Sequence, residues 1–198
     1  MKYENKEIAG LLLFIGGVQF VLGIIIAEAL YPDYSTSENY ISDLGVGPSS
    51  VIFNSSVFLL GVLATGGAYF IQRAFNLRIF SILTAITGIG AMGVGLFPED
   101  AGVMHVIFSL ITFLFAGLSA IMSYKLQKPP LSYLSIILGA MSLLALVLFG
   151  SGIYLGLGEG GMERMIAYPA LLWAVGFGGH VISYPKDEPT GAKSQLSA

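Results

Sequence analysis

The 198-residue chain has no cysteine, only two histidines and only 11% charged residues. Each shortage excludes something. Without cysteine there is no disulfide, no thiolate metal site and no thiol nucleophile. Two histidines cannot build a three-histidine zinc centre. A soluble domain carries about 25% charged residues, so this chain cannot coat a water-exposed surface. The net charge of −3 leaves no basic patch for nucleic acid. Disorder needs low hydrophobicity and high net charge, whereas 55% of these residues are apolar and mean hydropathy is +0.81.

What is present are long apolar runs bounded by charge or proline. They fall at about 8–30, 51–72, 78–97, 102–123, 131–155 and 163–183. A helical span needs about 20 apolar residues, and none of these runs shows the period-2 alternation of a barrel strand. The reading is an all-α integral membrane bundle of six helices, one domain over 1–184, with a short polar tail at 185–198. Lys2 and Lys6 ahead of the first run resemble a signal peptide, and Ala27-Glu28-Ala29 imitates its cleavage site. The apolar stretch Ile8 to Ile26 exceeds the usual 7–15 residues of a signal core, so a retained span is expected.

Basic residues set the orientation. Eight of the nine lie before span one, between two and three, between four and five, or after six; Arg164 is the exception. An even number of spans puts both termini on that same side. The expectation is a cell-membrane protein with both termini cytoplasmic. The connections on the opposite side are acidic.

One of those acidic connections is long, from Tyr31 to Ser50. Ser35 with Glu38 three residues on reads as a capping box, and Gly45 as a stop. The pattern predicts a short surface helix over about 36–44, with Asn39, Ser42 and Asp43 on one face. Leu30-Tyr31-Pro32-Asp33 and Leu96-Phe97-Pro98-Glu99-Asp100 put an aromatic, a proline and an acid at the ends of spans one and three. Interfacial aromatics and helix-stopping prolines account for both; a duplicated hairpin is the other reading. Small-residue pairs such as Gly23-xxx-Ala27, Gly61-xxx-Thr65 and Ala174-xxx-Gly178 predict close helix packing within the chain and offer faces for a homo-oligomer.

No charge falls near the middle of a span, which counts against a proton-coupled transporter or pump. Gln19, Thr65, Ser109 and Thr112 are the most central polar groups, and back-bonding to the preceding turn suits such hydroxyls. His105 and His180 fall near opposite membrane faces and cannot share a metal; no metal and no cofactor is read. Polarity converges on the acidic side, where Glu28, Asn39, Ser42, Asp43, Asn54, His105, Glu163 and Arg164 are the candidate ligand-binding residues. The competing explanation is helix caps and wet loop residues. Gly156-Leu-Gly-Glu-Gly-Gly161 before Arg164 spells GxGxxG but follows no strand, so a dinucleotide fold is excluded. A glycine-rich turn at a helix start still offers N–H groups to an anion, and Arg164 offers a bidentate grip. An internal ion pair of Arg164 with Glu163, Asp43 or Glu28 is the alternative.

The stretches SENYISDLGVGPSSVIFNSSVFLLG (37–61), GLFPEDAGVMHVIFSLITFLFAG (95–117) and GGMERMIAYPALLWAVGFGGH (160–180) resemble an uncharacterised family of archaeal and bacterial membrane proteins, domain of unknown function nine-nine-eight. The resemblance implies six helices and supplies no activity. The layout is also similar to the Frag1/DRAM/Sfk1 group, six-helix proteins tied to lipid handling. Alkaline ceramidase-like hydrolases use Ser, Asp and a histidine-bound zinc; Ser42, Asp43 and His105 are present, but the other histidines have no counterpart.

Three functions compete. One is a binding protein with an outward-facing polar pocket for a lipid headgroup or small anion. A second is an outer-leaflet enzyme with His105 as general acid or base, oriented by Asp43 or Glu163. The third is a structural subunit. Membrane lipids are the expected partners, with no nucleic acid.

Overall fold

The computed structural model describes residues 4–184, so the tail at 185–198 lies outside the described residues. Six helices are long and apolar enough to cross a membrane: α1 (Asn5–Leu30), α2 (Ser50–Phe75), α3 (Arg78–Leu96), α4 (Val103–Met122), α5 (Leu131–Gly150) and α6 (Gly158–Ile182). No strand occurs among the described residues. The chain is an all-α multi-pass membrane protein.

Local chemistry sets the ends. Glu4 and Glu7 form a capping box that starts α1, the Glu4 N–H donating to Glu7 Oε2 at 3.0 Å. Asn76 takes φ 51° and ends α2, its N–H closing on the Gln72 carbonyl. Phe97-Pro98 ends α3, and Gly102 at φ +62° turns the chain into α4. Inside α6, Pro169 has no N–H to give Met165. One residue further on, the Ile166 carbonyl accepts Ser142 Oγ–H from α5 at 2.8 Å, a tie between the two helices.

Each helix packs on its neighbours in sequence, and α6 packs back on α1, so the bundle is a closed ring. Small residues make the close approaches. A Cβ on Gly61 would stand 2.5 Å from the Gly88 carbonyl across α2 and α3, and one on Gly10 would stand 2.6 Å from the Gly178 carbonyl across α1 and α6. The small faces read from sequence are thus used inside the chain. One end of the ring, here the acidic end, carries Glu28, Asp43, Glu99, Glu159 and Glu163. The other carries Arg73, Arg78, Lys125 and Lys128 and is the basic end.

Two elements differ from the sequence expectation. The helix expected over about 36–44 is instead one turn at Thr36–Glu38 followed by a 3-10 helix at Ser42–Gly45. The reason is Asn39, whose Oδ1 accepts the Ser35 N–H at 3.0 Å while its own N–H closes on the Ser35 carbonyl at 2.8 Å. That turn is complete in itself and does not propagate. The last helices also meet the acidic end differently. α5 stops at Gly150 rather than 155, and α6 starts at Gly158 rather than 163. Between them Gly152, Leu155 and Gly156 all take positive φ, which a helix cannot accommodate.

Candidate functional site

The Tyr31–Ser49 connection folds over the acidic end of the ring, and Arg164 holds it there. The guanidinium lies on α6 and is 7% exposed. Its Nη1 donates to the carbonyls of Thr36 at 3.0 Å, Asn39 at 3.1 Å and Gly160 at 2.9 Å. Its Nη2 donates to Glu28 Oε1 and to the Tyr34 hydroxyl, both at 2.6 Å. The Tyr34 hydroxyl in turn donates to the Tyr40 carbonyl at 2.7 Å. Burial pushes the Tyr34 phenol up to about 12, so it stays neutral and remains a donor. Of the ion pairs open to Arg164 in the sequence, the structure forms the one with Glu28.

The glycine-rich turn serves the same contact. The Gly160 N–H at the start of α6 donates to the Ser37 carbonyl at 3.0 Å. A Cβ on Gly160 would stand 1.9 Å from the Asn39 carbonyl, and one on Gly158 would stand 2.1 Å from that of Ser37. The glycines let the 36–39 turn sit on the helix start, where the sequence reading placed an anion. The Tyr40 hydroxyl adds a bond to Glu159, which raises its phenol above the ordinary range.

A second group sits beside this tie. Glu163, 7% exposed, accepts the backbone N–H of Ile41. Asp43 accepts Asn39 Nδ2–H at 2.9 Å and the Tyr40 N–H at 3.0 Å, so the 39/43 pairing survives without a helix. Glu99, from the turn between α3 and α4, stands beside Asp43 and Ser42. Burial and the neighbouring Asp43 push the Glu99 carboxyl up to about 7. Asn54 donates to the Gly45 carbonyl at 2.9 Å and pins the end of the loop to α2.

His105 is separate from these carboxylates. It is 6% exposed; its Nδ1 lies 2.9 Å from the Phe97 carbonyl oxygen and its Nε2 lies 3.1 Å from Ser109 Oγ. A carbonyl only accepts, so Nδ1 bears the ring proton. In the neutral ring Nε2 is then the acceptor, and Ser109 Oγ–H donates to it. The expectation that Asp43 or Glu163 orients His105 is corrected: the carbonyl at the end of α3 does so. His180 Nε2 lies 3.0 Å from the Leu126 carbonyl oxygen at the basic end, so the two histidines are apart, as the sequence implies.

Beneath the loop is a cavity of about 100 Å³ inside the ring, lined from α1, α2, α3, α4 and α6. Its walls are apolar, with Phe20, Val57, Ala91 and Ala167 among them. Ser42, His105 and Glu163 are the polar groups at its acidic end, with Ser109 further along α4. Of the deeper hydroxyls, those of Thr84, Thr87 and Thr112 are spent on the carbonyls of Phe80, Leu83 and Phe108. The lining of α6 runs from Glu163 to Ala174. At 1.5 Å per residue that is ~16 Å, about half the ~30 Å hydrocarbon layer. Glu28, Asn39 and Arg164 are not among the lining residues, and neither are Asp43 and Asn54. The eight candidate residues therefore divide. Ser42, His105 and Glu163 face the cavity, and the other five build its cover. Among the described residues no three His, Asp or Glu side chains converge to hold a metal.

Tyr34, Tyr40, Glu99 and Ser109 were not singled out as site residues by the sequence reading. Ser109 carried a usable signal, since it lies four residues after His105 on one helical face. Tyr34 and Glu99 carried none, because the side chains they meet, Arg164 and Asp43, are remote in sequence.

A ring of six apolar helices around an internal cavity, covered by a loop held from within, defines a multi-pass helical membrane protein. Residues 14–180 match the model of a family described as Protein of unknown function (DUF998), and the chain belongs to that family. No curated protein and no solved structure matches the chain.

Proposed function

We propose that the protein binds a lipid, its chain in the cavity and its headgroup against Ser42 and Glu163, beside His105. The observation that carries this reading is the distribution of polarity along the cavity: apolar over the depth of one leaflet, polar at the acidic end. An apolar cavity stays dry and takes apolar ligands. The acidic end faces outward under the positive-inside rule, so the lipid enters from the outer leaflet. The headgroup presents hydroxyl or amine donors. A small anion is disfavoured because Arg164, the one Lys or Arg at this end among the described residues, already spends both Nη atoms on the chain's own oxygens.

Purified protein should carry lipid that native mass spectrometry detects in mild detergent. Ala167→Phe puts a ring into the cavity wall and should remove that lipid while the protein still elutes as a folded species. Equal lipid on the two proteins, or none on the wild type, would overturn the reading.

A further inference from the structure

Several hydroxyls in this protein are spent on their own backbone. Thr65, Thr84, Thr87, Thr112, Ser55 and Ser151 all donate to a carbonyl one turn earlier. Ser109 is different: its hydroxyl bonds the imidazole of His105, one turn earlier on α4. The far side of that imidazole is fixed by the Phe97 carbonyl at 2.9 Å. This carbonyl belongs to the residue that caps α3, just past Leu96, and has no helical N–H to accept because Phe97-Pro98 ends the helix. His105 is almost wholly buried, whereas Ser109 is half-buried and lines the cavity. The arrangement is that of an activated nucleophile: hydroxyl, base, and a third group that holds the base in the right tautomer. Ser109 lies six residues into α4, ~9 Å along the helix from its start.

We infer that Ser109 and His105 form a nucleophile–base pair that acts on an acyl ester of the lipid in the cavity, a step resting on the lipid-binding reading above. Ser109 Oγ bonds to the ester carbonyl carbon as its proton passes to His105 Nε2. The tetrahedral species collapses, the bond from carbonyl carbon to alkoxy oxygen breaks, and the imidazolium returns the proton to the departing alcohol. Water admitted at the polar end of the cavity, past Ser42 and Glu163, then attacks the acyl-Ser109 ester, giving its proton to His105. Collapse releases the carboxylic acid, and His105 returns a proton to Ser109 Oγ. The substrate class is a lipid carboxylic ester. Arg164 and its partners hold the cover and touch no reacting atom.

Alkyl fluorophosphonates test this without knowledge of the natural ester. A long-chain and an ethyl reagent are incubated with detergent-solubilised protein, and the adduct is located by peptide mass mapping. The expected result is an adduct on Ser109 that forms faster with the long chain. Ser109→Ala should abolish it, and His105→Gln should slow it about 100-fold, the range for loss of a general base. Ser55, whose hydroxyl is held by the Val51 carbonyl at 2.6 Å, should stay unlabelled. Absence of a Ser109 adduct on the wild type, or labelling of His105→Gln at the wild-type rate, would overturn the pair. If His105→Gln does not fold, the comparison of wild type with Ser109→Ala still decides whether Ser109 reacts. The two readings fail separately. A Ser109 adduct formed equally fast by both reagents removes the chain-binding cavity and keeps the nucleophile. Lipid lost on Ala167→Phe, with no adduct on the wild type, keeps the cavity and removes the nucleophile.

Discussion

Arg164 is a charge buried where charge is costly, and its value lies in what its removal leaves behind. Breaking a buried pair by taking one partner costs about 3–5 kcal/mol, because the other is left uncompensated. Arg164→Ala should lower the melting temperature strongly, as read by thermal unfolding in detergent. Arg164→Lys should not restore it, since an ammonium cannot serve Thr36, Asn39, Glu28 and Tyr34 from one planar fork. Removing Glu28 as well should cost less than the two single changes summed. Glu99 gives a pH dependence of definite sign. Its folded carboxyl is raised to about 7, above the ordinary glutamate value of 4.5. The folded state therefore holds the proton more tightly than the unfolded one. Stability from this group is full below pH 4.5 and declines as pH rises towards 7. Melting curves across that window should fall with pH for the wild type and fall less for Glu99→Gln.

At the scale of elements, the six helices were legible because apolar length alone specifies a span and the bundle must satisfy its backbone internally. The cover was not. Ser35 and Glu38 have the spacing of a capping box, but Asn39 closes the Ser35 turn from the other side and stops it there. The glycines around Gly160 were visible as a motif, yet their partner, Ser37, lies over a hundred residues earlier. Sequence spacing reports on one element, and this contact joins two. Likewise the spacing of His105 and Ser109 was visible while the Phe97 carbonyl that orients the ring was not, because backbone acceptors leave no residue signature. The glycine contact is testable. Gly160→Ala should displace the 36–39 turn, lower the melting temperature and speed proteolysis within residues 31–49. Gly176→Ala meets nothing within 4 Å and should be neutral or slightly stabilising, as alanine is the better helix former.

For the whole molecule, the prediction with the widest reach is orientation. The chain has no cysteine, so single cysteines give labelling without background. With Ser37→Cys, an impermeant maleimide should react on intact cells. With Ser194→Cys it should react only after permeabilisation. The opposite pattern would turn the acidic end inward and move the proposed lipid to the other leaflet.

The ring closes between its first and last helices, and the pair that secures the cover, Glu28 and Arg164, spans 136 residues. During synthesis the first five helices therefore enter the membrane with the Glu28 carboxylate unmatched and the seat for the cover missing. Only arrival of α6 supplies the guanidinium, the glycine platform and the last wall of the cavity together. A chain released before residue 158 has five spans and an open side. It should be the form that quality-control proteases recognise.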